Sequence, residues 1–256
     1  MRLGCDPEVF LVNNKGKLLS VIGKIGANKH NPKQIESLPL GFTLQEDNVA
    51  LEFGIPPASS AKEFSDSIET VMQAGLSNLP GTWFSTLSCA IFPKDQMRSP
   101  EAFVFGCEPD YNAWTGEINQ KPIPPHKFMR SSGGHVHIET TLDKQNVIRA
   151  CDLFMGVPSV LMDSGHARRA LYGAAGCFRP KPYGVEYRTL SNFWIFKPEL
   201  REWVWRATES ALKYVIQDEK PKNLIKCGPV IQECINTGNK DMAKQIVKDF
   251  GLEVVC

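Results

Sequence analysis

The chain has 256 residues, 42% of them hydrophobic and 22% charged, with a formal net charge of +1. That is the size and composition of one large globular domain or two small ones. The near-neutral charge excludes a bulk electrostatic attraction to nucleic acid or acidic membranes, and no stretch reaches the roughly 20 apolar residues of a membrane span.

The first residues, MRLGCDPEVF, read as strand rather than as a signal peptide, which needs an apolar core and a small-residue cleavage site. Residues 1–12 and 17–25 predict a hairpin turning at Asn13–Gly16. Residues 26–40, with Gly26, Pro32 and Pro39, predict an irregular loop whose polar Asn28–Asn31 segment folds over a ligand or is simply solvated. Val49–Phe53 predicts a strand. Ser60 and Glu63 form the S-x-x-E box that opens a helix, continued by Phe64, Ile68, Val71, Met72 and Leu79 at helical spacing. Trp83–Phe92 predicts another strand, and 93–132 long loops with strand pieces near 103–107. Residues 133–140 predict a strand. Asp143 caps a helix to about Met162, kinked by Pro158. An Arg-bearing loop leads to a strand at 184–190, a helix from Pro198 to about Ile216, and two short helices over 223–251 divided at Thr237–Asn239. Gly4-Cys5-Asp6-Pro7-Glu8 is echoed by Gly106-Cys107-Glu108-Pro109-Asp110, read as duplication or as chance.

The eight cysteines are scattered, without a C-x-x-C pair or zinc spacing, and predict reduced structural thiols. Cys177, between Gly176 and Phe178, is the first to test as a reactive exception. Three segments carry the chemistry: Cys5-Asp6-Pro7-Glu8-Val9, His135-Val136-His137-Ile138-Glu139 and Val185-Glu186-Tyr187-Arg188. Side chains at i and i+2 of a strand share a face. Asp6 and Glu8 therefore share one, as do His135, His137 and Glu139, and Glu186 and Arg188, with the apolar neighbours turned to a core. Glu52 and the pair Glu46–Asp47 add acids from another strand. Several carboxylates on one face are costly unless cations sit among them, and oxygen-rich sets suit Mg²⁺ or Mn²⁺. Gly133-Gly134 allow close backbone approach before the histidines. Arg168, Arg169, Arg179 and Arg188 surround a Gly-rich segment, and guanidinium forks suit phosphate or carboxylate. Solvated acids, a surface ion pair for any single arginine and core roles for the tryptophans are the plain alternatives. The P-loop and H-E-x-x-H zinc motifs are missing, and a dinucleotide-binding fingerprint is poorly matched.

The order of these motifs resembles the glutamine synthetase and glutamate–cysteine ligase superfamily. Gly4-Cys5-Asp6-Pro7-Glu8, Gly134-His135-Val136-His137, Tyr172-Gly173-Ala174-Ala175-Gly176 and Tyr183-Gly184-Val185-Glu186-Tyr187-Arg188 look most like the phage-type COOH–NH2 ligases, over about residues 3–215. The resemblance implies an α+β fold: a curved, mainly antiparallel sheet of the glutamine synthetase catalytic-domain type with helices on its convex face. Residues 1–217 would be the catalytic domain and 218–256 a small helical extension packed on it. The concave face would hold ATP and two to three Mg²⁺ or Mn²⁺ ions. Asp6, Glu8, Asp47, Glu52, His135 and Glu186 would be metal ligands, with Glu46 an alternative to Asp47. His137, Arg168, Arg179 and Arg188 would hold the nucleotide, and Arg179, Arg188 and Glu52 would be catalytic. Asp6-Pro7 departs from the Glu-x-Glu more usual in the superfamily, so the shorter Asp6 reaches metal directly or through water.

The reaction implied is ATP-dependent amide formation through an acyl phosphate. The partners are small-molecule or peptide carboxylates and amines, with nucleic acid entering only as a modified-nucleotide substrate; the setting implied is cytoplasmic, the host cytoplasm for a phage-borne chain, and an oligomer is compatible with it. A guanidine or carboxylate kinase on the same fold and a non-catalytic nucleotide-binding phage protein stay open as alternatives.

Overall fold

The computed structural model describes residues 1–104, 110–217 and 220–255, leaving aside the side chains of 220 and 221. Glycine, cysteine, glutamate and proline of the echoed segment at 106–109 lie outside the described residues, as do most of the strand pieces expected near 103–107.

The strands are β1 (Leu3–Cys5), β2 (Glu8–Val12), β3 (Leu18–Leu19), β4 (Lys33–Gln34), β5 (Thr43–Asp47), β6 (Ala50–Gly54), β7 (Trp83–Ser85), β8 (Cys89–Ile91), β9 (Tyr111–Asn112), β10 (Met129–Ser131), β11 (Val136–Glu139), β12 (Cys177–Lys181) and β13 (Gly184–Tyr187). The helices are α1 (Ala61–Asn78), α2 (Lys144–Cys151), α3 (Val157–Met162), α4 (His166–Arg169), α5 (Pro198–Ile216), α6 (Lys220–Thr237) and α7 (Lys240–Phe250). The class is α+β, with a curled antiparallel half-barrel and helices.

The half-barrel is made of two sheets. One runs β1-β11-β13-β12-β9, the other β3-β2-β6-β5-β4 with β7 also on β2, and β8 and β10 form a separate ribbon. One extended segment joins the sheets: it leaves β1, breaks at Asp6-Pro7 and re-enters the second sheet as β2. The break follows from proline, which has no N–H to give to a ladder. Phe53 N–H donates to the Pro7 carbonyl (3.1 Å) and Glu8 N–H to the Gly133 carbonyl (2.9 Å), so the Pro7–Glu8 peptide just after the break is held by β6 on one side and by the segment leading into β11 on the other. Asp6 and Glu8 thus sit at the seam.

Alternation does the rest. Val136, Ile138, Val185 and Tyr187 are fully buried against the helices, α2 packing on β12 and β13 and α1 on β6. The intervening side chains face the hollow. Ser60 caps α1 through the Glu63 N–H (3.1 Å), and Glu63 returns the contact to the Ser59 N–H (2.7 Å). Asp143 caps α2 through Asn146 N–H (2.9 Å).

Several boundaries differ from expectation. The expected first strand, 1–12, is split at Pro7 into β1 and β2, and the partner of β2 in the hairpin, β3, is only two residues long. Trp83–Phe92 is two strands in different sheets, turned at 86–88. The helix expected to kink at Pro158 breaks earlier, as a π-helical turn at Asp152–Gly156, with Pro158 in the first turn of α3. Proline clashes with the carbonyl four residues back, here Phe154, and the wider π turn relieves that. Arg179 lies on β12 rather than in a loop.

Candidate active site at the seam of the two sheets

The register writes the site. In the first sheet His137 lies opposite Glu186, and Glu186 opposite Arg179. In the second, Glu8 lies opposite Glu52, and Glu52 opposite Gln45, with Asp47 two residues along β5. One cavity of about 630 Å³ is lined by Asp6, Glu8, Asp47, Glu52, His135 and Arg168, together with Arg179 and Arg188. That volume suits a small-molecule ligand.

The first-sheet half is cation-rich. Glu186, fully buried, is met by Arg188 Nη1, by Lys181 Nζ at 2.8 Å and by Arg179 Nη1 at 3.3 Å. Burial and the nearby Asp6 oppose its ionisation, but Arg188 and Arg179 prevail and hold its carboxyl down at about 2. Arg188 Nε also donates to Asp110 (3.3 Å). Arg168, 2% exposed, donates to the Thr189 (3.0 Å) and Arg188 (3.1 Å) carbonyls and lies 3.4 Å from His135 Nε2. Burial, then Arg188, pushes His135 down to about 4, which makes it a neutral imidazole at neutral pH.

The second-sheet half is acid-rich. Burial, then Asp47, pushes Glu8 up to about 8. Burial pushes Asp47 up, and Glu52 is driven well above the carboxylate range by burial beside Asp6, Asp47 and Glu8. Between the halves, Asp6 Oδ1 lies 3.2 Å from His135 Nδ1 and Asp6 Oδ2 lies 3.1 Å from His137 Nε2. Burial opposes the charge on Asp6, but the two histidines override it and hold its carboxyl well below the usual range. Burial likewise opposes a proton on His137, and Asp6 raises it nonetheless. The Tyr183 hydroxyl is 3.0 Å from His137 Nδ1.

Close backbone approach is required at Gly133. A Cβ there would stand 2.2 Å from His135 Nε2 and 2.8 Å from Arg168 Nη2, while the Gly133 N–H donates to Glu8 Oε2 (2.7 Å).

These residues fit divalent cations. Donor atoms of Asp6, His137 and Glu186 all lie within 4.8 Å of one another. Asp6 Oδ1 and His137 Nε2 are buried without an aligned hydrogen bond. Glu8, Asp47 and Glu52 crowd together with less neutralising charge than Glu186 enjoys. Hard oxygen donors with one imidazole suit Mg²⁺ or Mn²⁺.

Of the expected site residues, Asp6, Glu8, Asp47, Glu52, His135, Arg168, Arg179 and Arg188 line the hollow, while Glu186 and His137 lie behind its first-sheet wall against Arg188, Arg179 and Asp6. Glu46 also lines the cavity, with its carboxylate taken up by backbone groups. Its carboxylate accepts the backbone N–H groups of Gly23 (2.8 Å), Ile25 (2.7 Å) and Gly26 (2.8 Å), and it anchors the loop that carries Asn28, Lys29 and His30 to the cavity. Arg169 lies away from the cavity, with Asp163 and Ser159. Cys177 is buried and its thiol pushed up to about 12 by burial, then by Asp110, which leaves it inert. Lys181, Asp110 and Tyr183 were missed. Tyr183 carried a readable signal, lying in the two-residue turn between β12 and β13.

A half-barrel whose hollow gathers acids, histidines and arginines defines an anion- and cation-handling enzyme scaffold. The model of the phage phiEco32-like COOH·NH2 ligase type 2 family matches residues 123–254, and the chain belongs to that family. The match spans β10–β13 and the C-terminal helices, and the acids of β2, β5 and β6 precede it. No curated protein and no solved structure matches the chain. The family is one of carboxylate–amine ligases, which join a carboxylate to an amine. Among the described residues no helix is long and apolar enough to cross a membrane.

Proposed function

We propose that the protein is an ATP-dependent carboxylate–amine ligase whose half-barrel is of the glutamine synthetase catalytic type, 1–217 forming the catalytic domain and 218–256 its helical extension. A substrate carboxylate oxygen attacks the γ-phosphorus of ATP, ADP leaves, and the acyl phosphate is attacked by an amine; phosphate and one proton depart as the amide forms. The observation that carries this reading is the pairing, in one cavity, of an arginine-rich wall with a crowded acid wall.

Arg179, Arg188 and Arg168 bind and orient the phosphates, where charge builds on the transferring group. Glu52, beside Glu8 and Asp47, holds the incoming ammonium and takes its proton. Two to three Mg²⁺ or Mn²⁺ ions would be held by Asp6, Glu8, Asp47, Glu52 and Glu186 with a histidine, and would supply neutralisation of phosphate charge. Donor geometry favours His137 for that histidine, with the neutral His135 between Arg168 and Arg188 on the phosphate side. This exchanges the two roles implied by the family resemblance.

Purified protein with ATP, Mg²⁺ and a mixture of amino acids and amines should release ADP and yield an amide mass. Glu8→Gln and Glu186→Gln should each lower turnover by roughly a hundredfold or more while the circular dichroism stays native. A stable phosphorylated product instead of an amide would make it a kinase. Full activity in both variants would refute the site.

A further inference from the structure

Behind the first sheet, on the face away from the cavity, lies a buried carboxylate that the proposed chemistry does not use. Asp152 is fully buried and opens the π-helical turn between α2 and α3. No salt bridge to it is found among the described residues. Its Oδ2 accepts the indole N–H of Trp114 (2.7 Å), and its Oδ1 accepts the hydroxyl of Tyr187 (2.9 Å). The Thr189 hydroxyl is also 3.3 Å from Oδ1, while donating at 3.0 Å to the Ala174 carbonyl. A carboxyl held by hydrogen bonds with no counter-charge beside it costs stability that an apolar residue would not. π turns inside helices gather at functional sites.

Its partners explain the placement. Tyr187 stands between Glu186 and Arg188, and Thr189 follows Arg188. Trp114 lies four residues after Asp110, whose carboxylate accepts from Arg188 Nε. Asp152 therefore grips both pieces of chain between which the Arg188 guanidinium is set, one from behind and one from the side. Room is kept for the grip. A Cβ on Gly156 would meet the Tyr187 hydroxyl at 2.9 Å, and one on Gly228 of α6 would meet the Trp114 ring at 2.7 Å.

We infer that Asp152 is a positioning residue, which through Tyr187 and Trp114 fixes Arg188 between Glu186 and Asp110. The catalytic consequence rests on the ligase reading above; the geometric one does not. Tyr187→Phe removes one donor and keeps the ring, Trp114→Phe removes the other and puts a smaller aromatic ring in its place, and Asp152→Asn keeps one acceptor oxygen. The buried Arg188 Nε–H gives a resolvable ¹H–¹⁵N signal, assigned by its loss in Arg188→Lys. In Tyr187→Phe and Trp114→Phe its hydrogen exchange should quicken about tenfold or more, without a matching rise in exchange of the core amides. Thr208→Val, which alters a buried hydroxyl bonded only within α5 and to Met155, should leave the signal unchanged at similar loss of stability. If amide formation occurs, kcat should fall about tenfold with KM for ATP little changed. Unchanged Arg188 exchange in both Phe variants and in Asp152→Asn, all folded, would overturn the inference. Absence of turnover in the wild type would instead count against the ligase reading.

Discussion

Glu8, which lines the hollow, and Glu186, buried behind its arginines, are both buried carboxylates, and their neighbours give them opposite stabilities. Three cations surround Glu186, so taking its charge away leaves them uncompensated. In metal-free protein Glu186→Gln should cost about 3 kcal/mol. Glu8 faces other acids, so Glu8→Gln should be neutral or stabilising by about 1 kcal/mol, as an isostere that removes repulsion. Urea unfolding without metal checks the difference in sign.

Asp152 supplies a second residue-scale prediction. Burial pushes its carboxyl up to about 7 despite the hydrogen bonds it accepts from Trp114 and Tyr187. The unfolded carboxyl titrates at about 3.9, so between roughly pH 4 and 7 the folded state holds a proton that the unfolded state has released. Stability drawn from this group is therefore full at low pH, falls as pH rises through that window, and is flat above it. Relative to Asp152→Asn, the wild type should lose up to about 1.4 kcal/mol per pH unit there. Paired urea titrations from pH 5 to 8 measure this slope. A difference independent of pH would contradict it.

At the scale of elements, the site depends on close backbone approach and on a tethered loop. Gly133→Ala drives a methyl into His135 and Arg168 and should cost about 2 kcal/mol, with the two side chains displaced in a crystal structure. Glu46→Ala removes three backbone tethers. Cleavage by trypsin at Lys24 and Lys29 should then quicken severalfold, while α1 and α5 stay protected. Alternation made Glu8, Glu52, His135, His137, Glu186 and Arg188 legible, because each sits in a strand or directly beside its end, with apolar neighbours on its other side. Pro180 disguised β12, since proline inside a strand reads as a breaker, and Lys181 and the strand position of Arg179 were hidden with it. The apolar run Trp83–Phe92 concealed a change of partner, because pairing with β2 or with β10 is decided by residues far away in the chain. Glu46 had the same neighbours as Asp47 in sequence. Only the fold of 23–26 around its carboxylate tells the two apart.

At the scale of the whole molecule, the C-terminal helices share a core with the sheet. Leu224, Ile231, Ile235, Ala243 and Ile246 belong to the same buried cluster as Val136 and Tyr187. Each large one contributes about 1.5–3 kcal/mol, so together they approach the roughly 5–15 kcal/mol stability of a whole domain. A chain ending at 217 should therefore unfold or aggregate, and the intact chain should melt in one calorimetric transition rather than two.

The central claim is that acids distant in sequence meet around divalent ions in one hollow. The most direct measurement is Mn²⁺ binding followed by electron paramagnetic resonance, with a non-hydrolysable ATP analogue present. Wild-type protein should bind two to three Mn²⁺, and Glu8→Gln and Glu186→Gln should each lose at least one of them. Equal Mn²⁺ binding in all three proteins, or none in the wild type at millimolar nucleotide, would contradict it.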